Sequence, residues 1–210
     1  MMKTLIIIGA GGHGKVVADA AEQMAHWNEI VFVDLLFPEL KKCGSWDVVA
    51  KNFDALENQD SSLEFVVAIG DNATRLKVFL QCTSLGFHPV SIIHPSSYIS
   101  PYVKIGAGSV VFANAVVNVS ASLGRCCIVN TGATIDHDCT LGESVHISPG
   151  ANIAGEVSIG DKSWVGIGAC VKQQIEIGDN VIVGAGAAVV SNVSNDLVVT
   201  GTPARQLSLS

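Results

Sequence analysis

The stretch Asp136-His137-Asp138 concentrates groups able to move a proton. An imidazole flanked by carboxylates is a competent general base, because a carboxylate bonded to one ring nitrogen fixes the tautomer and raises the basicity of the other. Between residues 93 and 194 there are only four basic and seven acidic side chains, so three titratable groups in a row are conspicuous. Alternation of side chains along an extended segment gives Asp136 and Asp138 the same sense and leaves open which of them orients the ring. Asn130 precedes the cluster and His146 follows it. A second concentration is the run Gly9-Ala10-Gly11-Gly12-His13-Gly14-Lys15, in which Gly9, Gly11 and Gly14 have G-x-G-x-x-G spacing and Asp34 follows Gly14 by 20 residues. Backbone N–H groups at a helix start hold phosphates, and a strand-end carboxylate accepts from a ribose or base. His13 is a candidate phosphate donor inside that loop, and Gly70 and Asn72 are further candidates for the same ligand.

The elements that must position these groups are of two kinds. Stepping by six from Ile93 to Val189 meets Ile, Val or Leu at all 17 steps, although those three types make up 60 of the 210 residues. The fifth position of each hexad is mostly small, from Ser97 through Ala133, Cys139 and Ala151 to Val193, and Gly often takes the second, as at Gly106, Gly124, Gly142, Gly160 and Gly178. This is the pattern of a parallel β-helix of hexapeptide repeats, three hexads closing each coil, with Gly or Asn supplying the turns of positive φ. Residues 18 apart then stack on neighbouring coils. His137, a third-position residue, is expected to point outward above Gly155, where the absent side chain leaves space and a backbone N–H able to hold an oxyanion. The third-position column Pro149, Ile167, Ala185 reads as an apolar edge along which a pantetheine arm could lie.

The first 92 residues follow a different pattern. Thr4–Ile8 reads as a buried strand, the run after the glycine loop as a helix, residues 30–34 and 65–70 as further strands, and residues 73–85 as a second helix. That succession is half of a Rossmann-like α/β sheet, and with half of the double fold absent a mononucleotide or nucleotide sugar suits it better than a dinucleotide. The expected organisation is therefore a Rossmann-like domain over 1–92 and a β-helix domain with a C-terminal tail over 93–210.

Composition narrows the class. Val and Ile together number 46 against 14 Leu, which argues against a helical bundle or coiled coil. Mean hydropathy is +0.44, yet the longest apolar run, Val181 to Val190, is about half of the ~20 residues a spanning helix needs. A net charge of −7 argues against a nucleic-acid surface. Six Cys with no C-x-x-C spacing fit free thiols in a reducing, cytoplasmic compartment. A zinc site on His94, His137 and His146 is disfavoured, since the 43 residues from His94 to His137 are not a multiple of 18, and no metal is expected.

The 17 hexads, the Asp-His-Asp-Cys stretch at 136–139, the Gly201-Thr202-Pro203-Ala204-Arg205 ending and the N-terminal glycine loop together resemble the left-handed β-helix acetyltransferases acting on nucleotide-linked sugars. That branch includes the UDP-4-amino-4,6-dideoxy-sugar N-acetyltransferases of bacillosamine-type pathways and the perosamine and sialic acid acetyltransferases. The resemblance implies a left-handed helix, a homotrimer with acetyl-CoA as cosubstrate between adjacent prisms, and His137 as base oriented by Asp138. It also implies His146 near the acetyl group with Asn130 lining the cleft, Gly155 at the acetyl carbonyl, and Ile167 and Ala185 beside the pantetheine. The loop of Gly11, Gly12, His13 and Gly14 would hold the nucleotide with Asp34, and Arg205 is a candidate for the coenzyme's phosphates. Leu35 and Leu36 depart from the pattern, since a further polar residue is expected there in UDP binders. The expected reaction is N-acetylation of the 4-amino group of a nucleotide-linked, UDP-type sugar by direct attack. O-acetylation of a sugar or sialic acid, or a non-enzymatic nucleotide-sugar-binding scaffold, are the alternatives.

Overall fold

The computed structural model describes residues 3–53 and 63–207, in two compact units divided between Pro95 and Ser96. The first unit carries β1 (Thr4–Ile8), α1 (Gly12–Met24), β2 (Glu29–Val33), β3 (Lys42–Cys43), β4 (Trp46–Ala50), β5 (Glu64–Val67), α2 (Asn72–Ser84) and β6 (His88–Pro89). Its sheet runs β3-β4-β2-β1-β5-β6, with β1 parallel to both neighbours. Leu5 to Ile8 are all buried, as a central parallel strand requires. The hairpin β3–β4 is antiparallel; β3, with two residues, carries no periodic signal, and the sequence Trp46-Asp47-Val48-Val49-Ala50 of β4 does not alternate cleanly between apolar and polar residues. The strand expected over 65–70 ends at Val67, although the Ala68 N–H still reaches the Ile8 carbonyl at 2.7 Å.

Small residues let α1 lie close to the sheet: Gly14, Val17, Ala18, Ala20 and Ala21 form its buried face. At Gly14 an added Cβ would strike the Gly9 carbonyl and the Phe32 ring, so this glycine is required by close approach of helix and strand.

The second unit is the left-handed β-helix. From Tyr98–Ile99 to Ala188–Val189 each short strand combines the sixth position of one hexad with the first of the next, and through Cys170–Val171 each pairs in parallel with the strand 18 residues on, as in Val110↔Ile128, Ile128↔His146 and His146↔Trp164; at the C-terminal end the step shortens to 16, as in Ile182↔Val198. Three sheets result. The first contains Ile128–Val129, His146–Ile147, Trp164–Val165 and Ile182–Val183. The second contains Thr134–Ile135 and Asn152–Ile153, and the third Thr140–Leu141 and Ser158–Ile159. From Val111 to Val189 every first-position aliphatic is buried, and the fifth-position small residues are buried beside them. Ser109 and Ser163 at fifth positions are satisfied: Ser163 donates to the Gly178 carbonyl at 2.7 Å and accepts from the Val181 N–H at 2.9 Å.

The turns differ from expectation. Positive φ falls on the fourth position of each hexad from Gly108 to Gly186, and Asn114, Ser120, Asp138, Glu156 and Lys162 adopt it as readily as glycine. The second-position glycines serve coil stacking instead. A Cβ on Gly124 would come within 2.6 Å of the Gly142 carbonyl carbon, and one on Gly160 within 2.6 Å of the Asp179 nitrogen. Along that edge Asp161 accepts from the Glu143 N–H and Asp179 from the Asp161 N–H, both at 2.7 Å. An antiparallel pair, Val198–Thr200 with Arg205–Gln206, closes the C-terminal end. No helix among the described residues is long and apolar enough to cross a membrane.

Candidate active site

His137 sits on the prism edge between the second and third sheets and is exposed, as its third position predicts. The turn that carries it is held from both neighbouring coils: the Asp138 N–H donates to the Val119 carbonyl at 3.1 Å, and the Glu156 N–H donates to the His137 carbonyl at 2.9 Å. The question the sequence left open has a geometric answer. Asp138 Oδ2 lies 2.8 Å from His137 Nδ1, whereas Asp136 Oδ1 accepts from the His137 backbone N–H at 2.8 Å and from Asn118 Nδ2 at 3.0 Å. Asp138 therefore orients the ring and Asp136 holds its backbone. The hydrogen bond to Asp138 raises the His137 pKa, aided by the charges of Asp136, Asp138 and Glu156. The His137 N–H, then the Asn118 amide, lower the pKa of Asp136 and keep it ionised.

Gly155 is buried, not open. An added Cβ would lie 2.6 Å from His137 Cε1 and Nε2, so the glycine makes room for the imidazole itself. The flanking N–H groups of Ala154 and Glu156 are taken by the Val171 and His137 carbonyls, while that of Gly155 has no backbone acceptor among the described residues.

The remaining coenzyme candidates lie elsewhere on the prism. His146 is buried in the first sheet, its Nε2 3.3 Å from Asn130 Nδ2 and its ring stacked on Trp164 at 5.3 Å. Trp164 Nε1 donates to Ser148 Oγ at 2.6 Å. Pro149, Ile167 and Ala185 follow one another on the edge between the first and second sheets, and Ile167 is 62% exposed. Gly150, Gly168 and Gly186 beside them have open space where a Cβ would stand, so this edge is smooth. Arg205 is exposed and its Nη1 donates to the Ala204 carbonyl. Within one chain the structure brings together His137, Asp138 and Gly155, but not these with His146, Ile167 or Ala185.

In the first unit Gly11 and Gly12 are exposed at the start of α1, with no side-chain cap on that helix end. A cavity of about 610 Å³ opens at the carboxyl ends of β1 and β2 and along α2, lined by Gly9, Asp34, Leu35, Asn52, Ile69 and Gln81 among others. The Asp34 carboxylate is tied to its own surroundings, accepting from the Ala10 N–H at 2.8 Å and the Leu36 N–H at 2.9 Å, so it holds the glycine loop in place. Asn72 is buried and accepts from Arg75 Nη2 at 2.7 Å inside the first turn of α2, whereas Gly70, just before that helix, is exposed and offers its carbonyl to Arg75 at 3.0 Å. His13 is half-buried, and burial, then the charge of Arg75, lowers its pKa to about 4, leaving it neutral at pH 7. Sequence reasoning missed Arg75, which in sequence looks like a solvent-facing helix residue, and Asn118, which the 18-residue period would have found below Asp136.

Residues 4–82 match the family model of the PglD N-terminal domain. Over 114 residues the chain is 35% identical to the UDP-N-acetylbacillosamine N-acetyltransferase of Bacillus subtilis (strain 168), a stretch that spans about half of each protein, 53% and 52%. Among solved structures it is similar to the acetyltransferase domain of PglB from Neisseria gonorrhoeae FA1090, with 40% identity, a TM-score of 0.94, and 98% of this chain and 100% of that one covered. The same domain has been solved in complex with acetyl coenzyme A. PerB from Caulobacter crescentus, in complex with CoA and GDP-perosamine, matches at 35% identity and a TM-score of 0.92 over 99% of both chains.

Proposed function

The chain belongs to the hexapeptide-repeat acetyltransferases that include the PglB domain and PerB, and from that membership we propose that it acetylates the 4-amino group of a nucleotide-linked 4-amino-4,6-dideoxy sugar, with acetyl-CoA as donor and UDP as the nucleotide. The observation that carries the chemistry is the imidazole of His137, oriented through Nδ1 by Asp138 at 2.8 Å and seated on Gly155. With Nδ1–H given to Asp138, Nε2 keeps its lone pair for the proton that the amine loses as it attacks the thioester, worth roughly 10²–10⁴-fold in rate. The Gly155 N–H would receive the oxygen of the acetyl carbonyl as charge develops there. Holding amine and thioester in register supplies the larger share. The thioester carbon–sulfur bond breaks, the amide forms, and CoA leaves as the thiol.

The separation of groups on the prism supports a homotrimer with the reaction between subunits. His137 on one edge would face the neighbouring prism's surface of Asn130, His146, Ile167 and Ala185, where the pantetheine would run; Arg205 would meet the phosphates. The first unit would be a Rossmann-like nucleotide domain, its cavity at the strand ends and the bare N-terminus of α1 taking base and diphosphate. The test is release of CoA thiol from acetyl-CoA with UDP-, GDP- and dTDP-linked 4-amino-4,6-dideoxy sugars, with free sialic acid as control. Fastest release with the UDP sugar is expected. Release only with sialic acid would overturn the reading.

A further inference from the structure

We propose that Asn118 is a positioning residue for the base, clamping Asp136 onto the backbone N–H of His137 from the coil below. This rests on the reading of His137 as the base. Asn118 and Asp136 are both second-position residues, 18 apart, and Asn118 Nδ2 donates to Asp136 Oδ1 at 3.0 Å. The same oxygen accepts the His137 N–H at 2.8 Å. Other side-chain pairs 18 apart occur on the prism, such as Thr134 with Asn152 and Gln174 with Glu156, but their acceptor oxygens hold no part of the catalytic turn. The Asn118 bond, by contrast, ends on an atom that also holds the backbone of the base.

The clamp has two consequences. It fixes the start of the turn whose other end, Asp138, aims the imidazole, so that Asn118 below and Gly155 above bracket His137 along the prism axis. It also keeps the Asp136 carboxylate in place and ionised beside the ring. The charged groups around that ring are Asp136 and Asp138 on its own coil and Glu156 on the next. Releasing Asp136 weakens one of the three, so the imidazole should titrate at lower pH.

Two measurements test this. Histidine ring NMR on the free protein follows the titration of His137, and the pH profile of kcat and KM is read with acetyl-CoA and a UDP-linked 4-amino-4,6-dideoxy sugar. In Asn118→Ala the His137 titration should move to lower pH and kcat should fall about tenfold, roughly the effect of one hydrogen bond to a charged group, with KM for acetyl-CoA changed less than about twofold. The exchanged pair Asn118→Asp with Asp136→Asn rebuilds the bond with its polarity reversed and keeps an acceptor for the His137 N–H, so it should recover most of kcat, while the His137 titration stays at lower pH because residue 136 no longer carries a charge. An unmoved titration and kcat in Asn118→Ala would overturn the proposal, as would a loss that the exchanged pair fails to recover. Failure of the underlying function reads differently: the wild-type protein would release no thiol with any amino sugar, while the NMR titrations would still report on the clamp.

Discussion

Replacing Gly155 by Ala isolates the seat of the base from its chemistry. The added Cβ would lie 2.6 Å from His137 Cε1 and Nε2 and 3.1 Å from Cδ2. Carbon contacts settle near 3.5–4 Å, so the ring must retreat by about 1 Å. Gly155 does not have positive φ, and the atoms it would strike belong to an exposed side chain, so folding stability should change little. The reaction should not tolerate the shift. Misplacement of about 1 Å costs on the order of 10²-fold, equivalent to ~2.7 kcal/mol of barrier. The retreat also stretches the 2.8 Å bond to Asp138 that raises the His137 pKa. The assay is initial-rate thiol release across pH, with thermal unfolding as the control for folding. The expected result is a ~100-fold loss in kcat at unchanged Tm, with the acidic limb of the profile moved to lower pH. The same substitution made in a His137→Ala background should cost almost nothing further, because no ring is left to displace. A full kcat in Gly155→Ala, or an equal loss in both backgrounds, would refute the steric reasoning.

Loss of His137 itself, as His137→Ala, should lower kcat roughly 10²–10⁴-fold while the dissociation constant for acetyl-CoA, measured by calorimetry, stays nearly unchanged. His13 predicts a pH-dependent stability of the first unit. Its folded pKa of about 4 lies below the ordinary 6.5, so its contribution is complete above pH 6.5 and is lost as pH falls from there toward 4. The loss, about 3 kcal/mol at most, should disappear from the pH dependence of Tm in His13→Asn. If the site lies between subunits of a trimer, mixing inactive His137→Ala with inactive Ile167→Asp under conditions of subunit exchange should restore activity, because mixed trimers would contain edges at which both intact surfaces meet; two variants that stay inactive when exchanged would remove the intersubunit site.

Much of this was legible because the solenoid is periodic. The hexads placed the buried first-position aliphatics from Val111 to Val189, though not Ile92, Val110 and Ile128, which are buried at sixth positions, and the 18-residue step placed Gly155 against His137. The corner was not legible. Positive φ at the fourth position is met by Asn114, Ser120, Cys126, Asp138, Lys162 and Gly168 alike, so no residue type marks it, while the conspicuous second-position glycines answer to coil stacking. The choice between Asp136 and Asp138 was hidden for the same reason: strand-like alternation fails where the backbone turns left-handed. In the first unit the strand and helix pattern was readable, but the destinations of polar side chains were not. Asp34 and Asn72 carry the residue types of ligand contacts and are engaged with Ala10, Leu36 and Arg75.

Asp138 shows how one residue meets two demands. It has φ of 58° at the corner and its carboxylate reaches His137 Nδ1 at 2.8 Å. A left-handed backbone costs an ordinary L-residue roughly 1–2 kcal/mol, and Asp and Asn tolerate it better than most. The two demands separate by substitution. Asp138→Gly keeps the corner without strain and removes the carboxylate; Asp138→Asn keeps the corner and an acceptor for Nδ1–H but removes the charge; Asp138→Ala strains the corner and removes the carboxylate. Melting temperature should therefore fall only in Ala, while activity should fall in all three and least in Asn. The acidic limb should move to lower pH in each, because the bond that raises the His137 pKa is weakened or gone. If Gly matched the wild type in rate, Asp138 would be a corner residue and nothing more, and orientation of the base would have to come from Asp136 and Asn118 alone.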